Sequence, residues 1–336
     1  MNIGLLGFGV VGGGVWELAQ ENRALNVKKV LVRREAPSLG KAAVQDVEAI
    51  LRDTEIDTVV EVLGGLHPAY EWICRALAAG KDVVTANKAV ISAYYRELTA
   101  LARENGVALR CTAAVGGGIP WLVNLQRCRR VDTVTEVGGI MNGTTNFIMD
   151  AMARQGADFP AVLQRAQELG YAEADPSADI DGDDIRRKLT ISANIAFDAL
   201  LREEDIPAFG IRTVTGADVA DFRAHGFTCK LLACAQRTET GVAAYVEPAL
   251  VAEGEPEAAV PGNYNLISCT GELLGRQSYF GQGAGRYPTA ANVVQDCLDL
   301  LTGEDGFYTE TARPMAVEAD AVAHPYYVRT QGADPW

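Results

Sequence analysis

The chain has 336 residues, 48% of them hydrophobic, and a formal net charge of -14 from 44 acidic against 30 basic side chains. That length holds two domains, or one large α/β unit with an insertion. A surface this acidic (pI about 4.8) repels phosphate backbones and excludes nucleic acid and anionic membrane as partners, although a few arginines and backbone amides can still bind one phosphate group.

No stretch reaches the roughly 20 apolar residues that span a bilayer. Met1–Leu6 has no basic n-region and runs straight into glycines, so it reads as a first strand and not as a signal peptide. The seven cysteines (Cys74, Cys111, Cys128, Cys229, Cys234, Cys269, Cys297) are scattered and lack zinc spacing. They read as reduced, mostly buried thiols of a cytoplasmic protein.

In chain order, Ile3–Leu6 is predicted as a strand and Val10–Gln20 as a helix. Strands at Val27–Val32, Thr58–Leu63, Asp82–Thr85 and Val107–Cys111 alternate with helices at Val44–Leu51, Tyr70–Ala79 and Tyr94–Glu104. Such alternation builds βαβ units, and right-handed crossovers make a doubly wound, Rossmann-type parallel sheet the expectation. From Val131 the texture changes. Val131–Ile140 reads as a strand, Thr144–Arg154 and Phe159–Leu169 as helices, Tyr171–Asp184 as an acidic loop, and Ile185–Leu200 as a long amphipathic helix. Strands follow at Thr228–Arg237, Val242–Leu250, Tyr264–Thr270 and Glu272–Phe280, and then a last helix at Ala290–Leu301. This second region is an α+β unit. The tail from Thr330 is expected to fray.

Gly7-Phe8-Gly9-Val10-Val11-Gly12 fits G-x-G-x-x-G between a strand and a helix. In that context the glycines permit the tight turn, the approach of a pyrophosphate and close helix–strand packing, while the helix start offers N–H groups to the phosphates. The second strand ends Val32-Arg33-Arg34-Glu35. Arg33 and Arg34 can clamp a 2′-phosphate, which favours NADP over NAD; Glu35 alongside keeps NAD open. Lys88, in Thr85-Ala86-Asn87-Lys88, follows a strand's C-terminal end, where ligands of open sheets bind. It is either a cofactor-facing amine or a solvated loop lysine. Lys188 sits four residues after Asp184, so the two share a helix face. The preceding loop holds Glu173, Asp175, Asp179, Asp181 and Asp183, read equally as a site for a substrate ammonium or as solvated surface. It is no EF-hand, because no Glu closes it at the twelfth position. Ala113–Pro120, with three successive glycines, either approaches a ligand, coordinates a monovalent cation through carbonyls, or is a flexible turn. None of His67, His225 and His324 lies in an evident triad.

These segments, in this order, resemble the homoserine dehydrogenase family over nearly the whole chain. The resemblance is carried by Gly7–Gly12, Thr85–Lys88, Ala113–Pro120, Gly138–Ile148, Ala166–Pro176 with Asp179, Gly182, Asp184 and Lys188, and Gly283–Gly285 with Thr289-Ala290. It implies NAD(P)-dependent interconversion of L-aspartate 4-semialdehyde and L-homoserine, a step of threonine and methionine biosynthesis. Lys188 would move the proton, Asp184 would orient it, and Lys88 would be a second catalytic lysine beside the cofactor. Glu173 and Asp179 would receive the substrate ammonium, and Gly143 and Thr144 would present backbone groups to it. Gly64 and Gly285 join the cofactor-binding set. A sodium ion would be held by the carbonyls of Thr112, Val115, Gly117 and Ile119; the family usually has Glu where this chain has Thr112.

The resemblance further implies a nucleotide-binding domain of residues 1–130 completed by about 285–336, and a catalytic and dimerisation domain of 131–284 with a mixed sheet. A homodimer through that sheet, and no C-terminal ACT-type regulatory domain, are expected. Two other readings compete: a dehydrogenase of another small amino acid, such as aspartate, and an NADP-sensing protein without turnover. The presence of both Lys88 and Lys188 speaks against the sensor.

Overall fold

The computed structural model describes residues 1–304, 306–307 and 311–330. The expected fraying beyond Thr330, and the end of the 285–336 segment, lie outside the described residues.

Six short strands form a parallel sheet: β1 (Asn2–Leu6), β2 (Asn26–Leu31), β3 (Ala43–Val44), β4 (Thr58–Glu61), β5 (Asp82–Thr85) and β6 (Leu109–Arg110). Their order is β3-β2-β1-β4-β5-β6. The strands are near-continuous apolar runs because helices cover both faces: Ile3, Leu5, Leu6, Val59, Val60, Val83 and Val84 have no exposed surface. The connecting helices are α1 (Val10–Gln20), α2 (Glu48–Leu51), α3 (Ala69–Ala78) and α4 (Lys88–Glu104). Neighbours β1 and β4 send their connections to opposite sides, and the crevice between their ends is where a doubly wound sheet binds its ligand.

The helix predicted at Val44–Leu51 is a single turn, because Ala43 and Val44 pair instead with Val30 and Leu31. The last strand, at the edge of the sheet, shrinks to two residues, because only Leu109 and Arg110 pair with β5, at Val83 and Val84. The helix predicted from Tyr94 starts six residues earlier, because the Asn87 side chain caps it by accepting from the Val90 N–H (3.3 Å).

After α5 (Trp121–Arg129) the chain builds a second sheet from β7 (Val134–Ile140), β8 (Phe227–Arg237), β9 (Gly241–Ala252), β10 (Tyr264–Gly271) and β11 (Gly275–Gln282). With β12 (Ala316–Val317) the order is β11-β10-β7-β8-β9-β12, antiparallel except for β9 and β12. It is the expected mixed sheet. Between β7 and β8 lie α6 (Gly143–Gln155), α7 (Phe159–Glu168), α8 (Ser177–Ile180), α9 (Asp183–Phe197) and α10 (Gly216–Ala224). The one-turn α8 interrupts the predicted acidic loop. Helices α6 and α9 cover one face of this sheet. Helix α9 is buried nearly all round, with Ile185, Leu189, Ile191 and Ala193 at zero exposure.

The chain then returns to the first sheet. Helix α11 (Arg286–Leu301) lies against α1 and beside β5. Buried Arg110 of β6 holds it in place, with Nε 3.0 Å from Asp296 and an Nη 2.6 Å from Asp299.

Candidate active site

The glycine loop lies at the sheet's C-terminal edge. A Cβ on Gly12 would meet the Gly7 carbonyl oxygen at 2.2 Å, so only glycine lets α1 start this close to β1. Nothing lies within 4 Å of a Cβ built on Gly9, which leaves backbone open to a ligand. The first intrahelical bond runs from the Gly13 N–H to the Gly9 carbonyl (2.9 Å), so the N–H groups of Val10, Val11 and Gly12 are the free donors of the helix start. Val10 is 67% exposed at this point, and Phe8 is half-buried. These residues fit a dinucleotide pyrophosphate. Gly64 and its neighbour Gly65 form an open turn after β4, and Gly285 precedes the first residue of α11. Arg33 and Arg34 are exposed just past β2, and neither takes part in an ion pair among the described residues.

A second signal lies at the same edge and was missed in the sequence. Glu61 ends β4 with no exposed surface. Its carboxylate accepts from Thr85 Oγ1 (2.6 Å), the Leu63 N–H (2.7 Å) and, more weakly, Asn87 Nδ2 (3.4 Å). Burial pushes this carboxyl's pKa up, against those donors. Asn87 also donates to the Gly65 carbonyl (2.8 Å). One carboxylate thus ties together the turns after β4 and β5 and fixes where α4 starts.

Lys88 is the first residue of α4, so it is anchored helix and not loop. Its Nζ lies 2.9 Å from Asp184 Oδ1. The other oxygen of Asp184 is 2.7 Å from Lys188 Nζ, one turn along α9. Lysines from two distant segments therefore share one carboxylate. Lys188 also donates to the Met141 carbonyl (2.7 Å), and Asn142 Nδ2 donates to Asp184 Oδ2 (2.8 Å) and to Asp179 Oδ1 (2.7 Å). Asn142 falls within the Gly138–Ile148 stretch, where the sequence reading assigns it no role. It caps α6 by accepting from the Thr145 N–H (2.8 Å), which is the signal its position carries.

Asp184 and Lys188 are buried, while the Lys88 side chain is 39% exposed. Burial pushes the Lys188 amine down, only partly offset by Asp184. Lys88 is pushed up, chiefly by the Asp184 charge. For Asp184 burial is the largest influence and acts upward; the two lysines and their hydrogen bonds outweigh it and hold the carboxyl well below the usual range. Asp179 is pushed up by burial and by Asp184 beside it. The cluster is a buried acid between two amines of unlike basicity, with a second acid at its rim.

Thr144 donates through Oγ1 to the Tyr171 carbonyl (2.6 Å) and so fastens the acidic loop to α6. Gly143 lies under the backbone of Asn263, whose carbonyl oxygen would be 2.5 Å from an added Cβ. Glu173 is on this loop but exposed, and its carboxylate makes no hydrogen bond or ion pair with the cluster among the described residues. The histidines stay outside: His67 pairs with Glu71, His225 with Asp221 and His324 with Glu247. All seven cysteines are free thiols, four of them buried.

The loop of Thr112, Val115, Gly117 and Ile119 packs under the glycines that precede α11. A Cβ on Gly117 would meet the Gly283 backbone at 2.5 Å. The carbonyls of Gly117 and Ile119 both accept from Asn292 Nδ2, at 2.6 and 3.1 Å. The carbonyl set named for sodium is therefore partly engaged already and fits a cation poorly. No group of three or more His, Cys, Asp or Glu suited to a metal occurs among the described residues.

The family model described as "Homoserine dehydrogenase" matches residues 120–298, and that of the "Homoserine dehydrogenase, NAD binding domain" matches residues 7–112. A homoserine dehydrogenase of Synechocystis is 42% identical over 317 residues, covering 90% of this chain and 73% of that protein. The crystal structure of a homoserine dehydrogenase from Thiobacillus denitrificans superposes with a TM-score of 0.91 at 37% identity, over 95% of this chain and 79% of that one. A hyperthermophilic archaeal homoserine dehydrogenase in complex with NADPH superposes at 0.79 with 25% identity, over 90% and 98% of the two chains. The two sheets, the shared carboxylate and these matches agree, and the chain belongs to the homoserine dehydrogenase family.

Proposed function

We propose that this protein is a homoserine dehydrogenase, interconverting L-homoserine and L-aspartate 4-semialdehyde with NAD(P) as cofactor, with Lys188 as the proton-transfer residue. The observation that carries this is the Lys88–Asp184–Lys188 bridge, which joins the edge of the nucleotide sheet to the helix behind the acidic loop. When bound, the nicotinamide supplies or accepts the hydride. The protein's own task is to manage the proton at the substrate oxygen.

An ammonium has three donors. Lys188 spends one on Asp184 and one on Met141, which leaves one for a substrate oxygen. In the reducing direction that third proton goes to the oxygen that becomes negative at the aldehyde carbon. In the oxidising direction the neutral amine takes the hydroxyl proton, and burial, by lowering the Lys188 pKa, makes the neutral form accessible. Asp184 positions the amine. Lys88, the more basic partner, keeps Asp184 ionised and faces the cofactor side as the second lysine. Asp179, with Glu173 brought in from the loop, is suited to a substrate ammonium, and Gly143 and Thr144 lie at the start of α6 beside them. The pyrophosphate would be held by Gly7–Gly12 with Gly64 and Gly285 alongside. Arg33 and Arg34, exposed and without an ion pair among the described residues, support NADP as the preferred cofactor. No step is assigned to a sodium ion.

Residues 1–130, completed by α11, serve the cofactor, and 131–284 serve substrate and dimerisation. The exposed Phe280 on the edge strand β11, and the exposed Leu273 in the turn before it, support a homodimer there.

The test is turnover of homoserine with NADP and with NAD, read at 340 nm. Oxidation of homoserine, with aspartate inert, supports the proposal. Oxidation of aspartate in its place, or tight NADP binding without turnover of either, overturns it.

A further inference from the structure

Asn292 lies on the inner side of α11 and is 6% exposed. Its amide reaches the Gly117 carbonyl at 2.6 Å and the Ile119 carbonyl at 3.1 Å. Ile119 also accepts from the Trp121 N–H at 2.7 Å. A carbonyl oxygen carries two lone pairs, so both of Ile119's are taken. A hard cation needs about six oxygen ligands, and one of the four carbonyls named for it has no lone pair left.

Charge points the same way. A buried cation needs a negative partner. The carboxylate that binds the start of this loop is Asp296, one turn along from Asn292. It accepts from the Thr112 N–H (2.8 Å) and Thr112 Oγ1 (2.6 Å), and it pairs with Arg110 Nε (3.0 Å). Its charge is already met by a guanidinium.

The position of this loop matters to the cofactor half. Gly118 donates its N–H to the Gln282 carbonyl (3.1 Å), and Gly117 touches Gly283. The loop is the seat of the glycines that lead into α11.

We propose that in this protein the Asn292 side-chain amide stands in for a monovalent cation. Its two N–H groups draw the Gly117 and Ile119 carbonyls together and clamp the loop to α11. The fold and the activity are then indifferent to sodium and potassium.

The test compares sodium, potassium and choline chloride at one ionic strength, on the full chain with cofactor bound. Melting temperature and homoserine kinetics are measured, and crystals are soaked in a thallium(I) salt for anomalous scattering. Wild type is expected to melt within about 1 °C in all three salts, since a cation that does not bind cannot stabilise, and to show no thallium at the loop. Asn292→Ala and Asn292→Asp remove the clamp and open the carbonyls. Both are expected to melt lower in choline and to regain much of the loss in sodium or potassium, with thallium bound in N292D. A wild type stabilised or activated by sodium over choline overturns the proposal, as does thallium at its loop. Variants with equal deficits in all three salts overturn it too. Should either variant fail to fold, the wild-type salt comparison and the thallium soak still decide. Melting and scattering do not involve substrate, so a failure of the homoserine reading leaves this test intact.

Discussion

Lys188 is placed by what surrounds it more than by its own sequence. Asp184 one turn earlier, the Met141 carbonyl and the burial of α9 fix its amine and lower its pKa. Lys188→Ala is expected to lower kcat for homoserine oxidation by at least about 100-fold, a usual share for general acid–base catalysis, while fluorescence titration shows NADPH binding unchanged. The sign of the pH effect follows. Oxidation needs the neutral amine, so wild-type kcat/KM falls as pH drops through the Lys188 pKa, and that pKa lies below the usual lysine value of 10.5. In Lys188→Ala this acid limb should disappear from the profile. A variant that keeps both rate and limb would remove Lys188 from the chemistry. The second prediction concerns Arg33. Arg33→Ala should raise KM for NADP about tenfold or more, the cost of one charge-assisted hydrogen bond, and leave KM for NAD nearly unchanged. Equal changes in both would show that the pair does not read the 2′-phosphate. Much of this level was legible in the sequence, because a lysine four residues after an aspartate shares its face. That Lys88, a hundred residues earlier, meets the other oxygen of Asp184 was not, since no spacing encodes a contact between segments.

Most elements could be read from periodicity, and the failures have physical causes. Strand β3 displaced a helix because pairing with β2 outweighed local propensity. Helix α10 escaped notice for want of an apolar stripe; its start is set by a capping box of Thr215 and Asp218. Gly14, two residues past the G-x-G-x-x-G motif, serves helix packing. A Cβ there would meet Ala290 Cβ at 2.9 Å and the Arg286 carbonyl at 3.1 Å. Gly14→Val should therefore push α1 from α11 and destabilise by about 1–3 kcal/mol, typical of overpacking, in urea unfolding. Cofactor KM should rise more than homoserine KM. Unchanged stability would mean that the two helices can part without loss.

At the scale of the molecule, the buried guanidinium of Arg110 holds the returning helix to the sheet. Arg110→Met leaves Asp296 buried without its cation and should cost about 3–5 kcal/mol. Burial holds the Asp296 carboxyl above the usual 3.8 even with Arg110 present. A folded-state pKa above the unfolded one means that the native form binds the extra proton, so stability falls as pH rises between the two values. Without Arg110 that window widens upward, and the deficit should be smaller at pH 5 than at pH 8 in the same unfolding assay. A deficit equal at both would put the lost contact, not the stranded charge, at fault. The presence of a second, mixed sheet was legible because the texture of the chain changes at Val131. That Asn292 and Asp296 would reach back to the loop at Thr112 was not, because contacts of so high a sequence separation leave no local mark.

The wall that α11 builds against α1 also bears on how the protein is born. The parallel sheet is complete once Arg110 has emerged from the ribosome, yet its flank stays bare until residues 286–301 follow. Until they do, a nascent chain would carry Gly14 and the face of α1 around it without the helix they pack against. Cofactor capture would then wait on the arrival of residues 286–301.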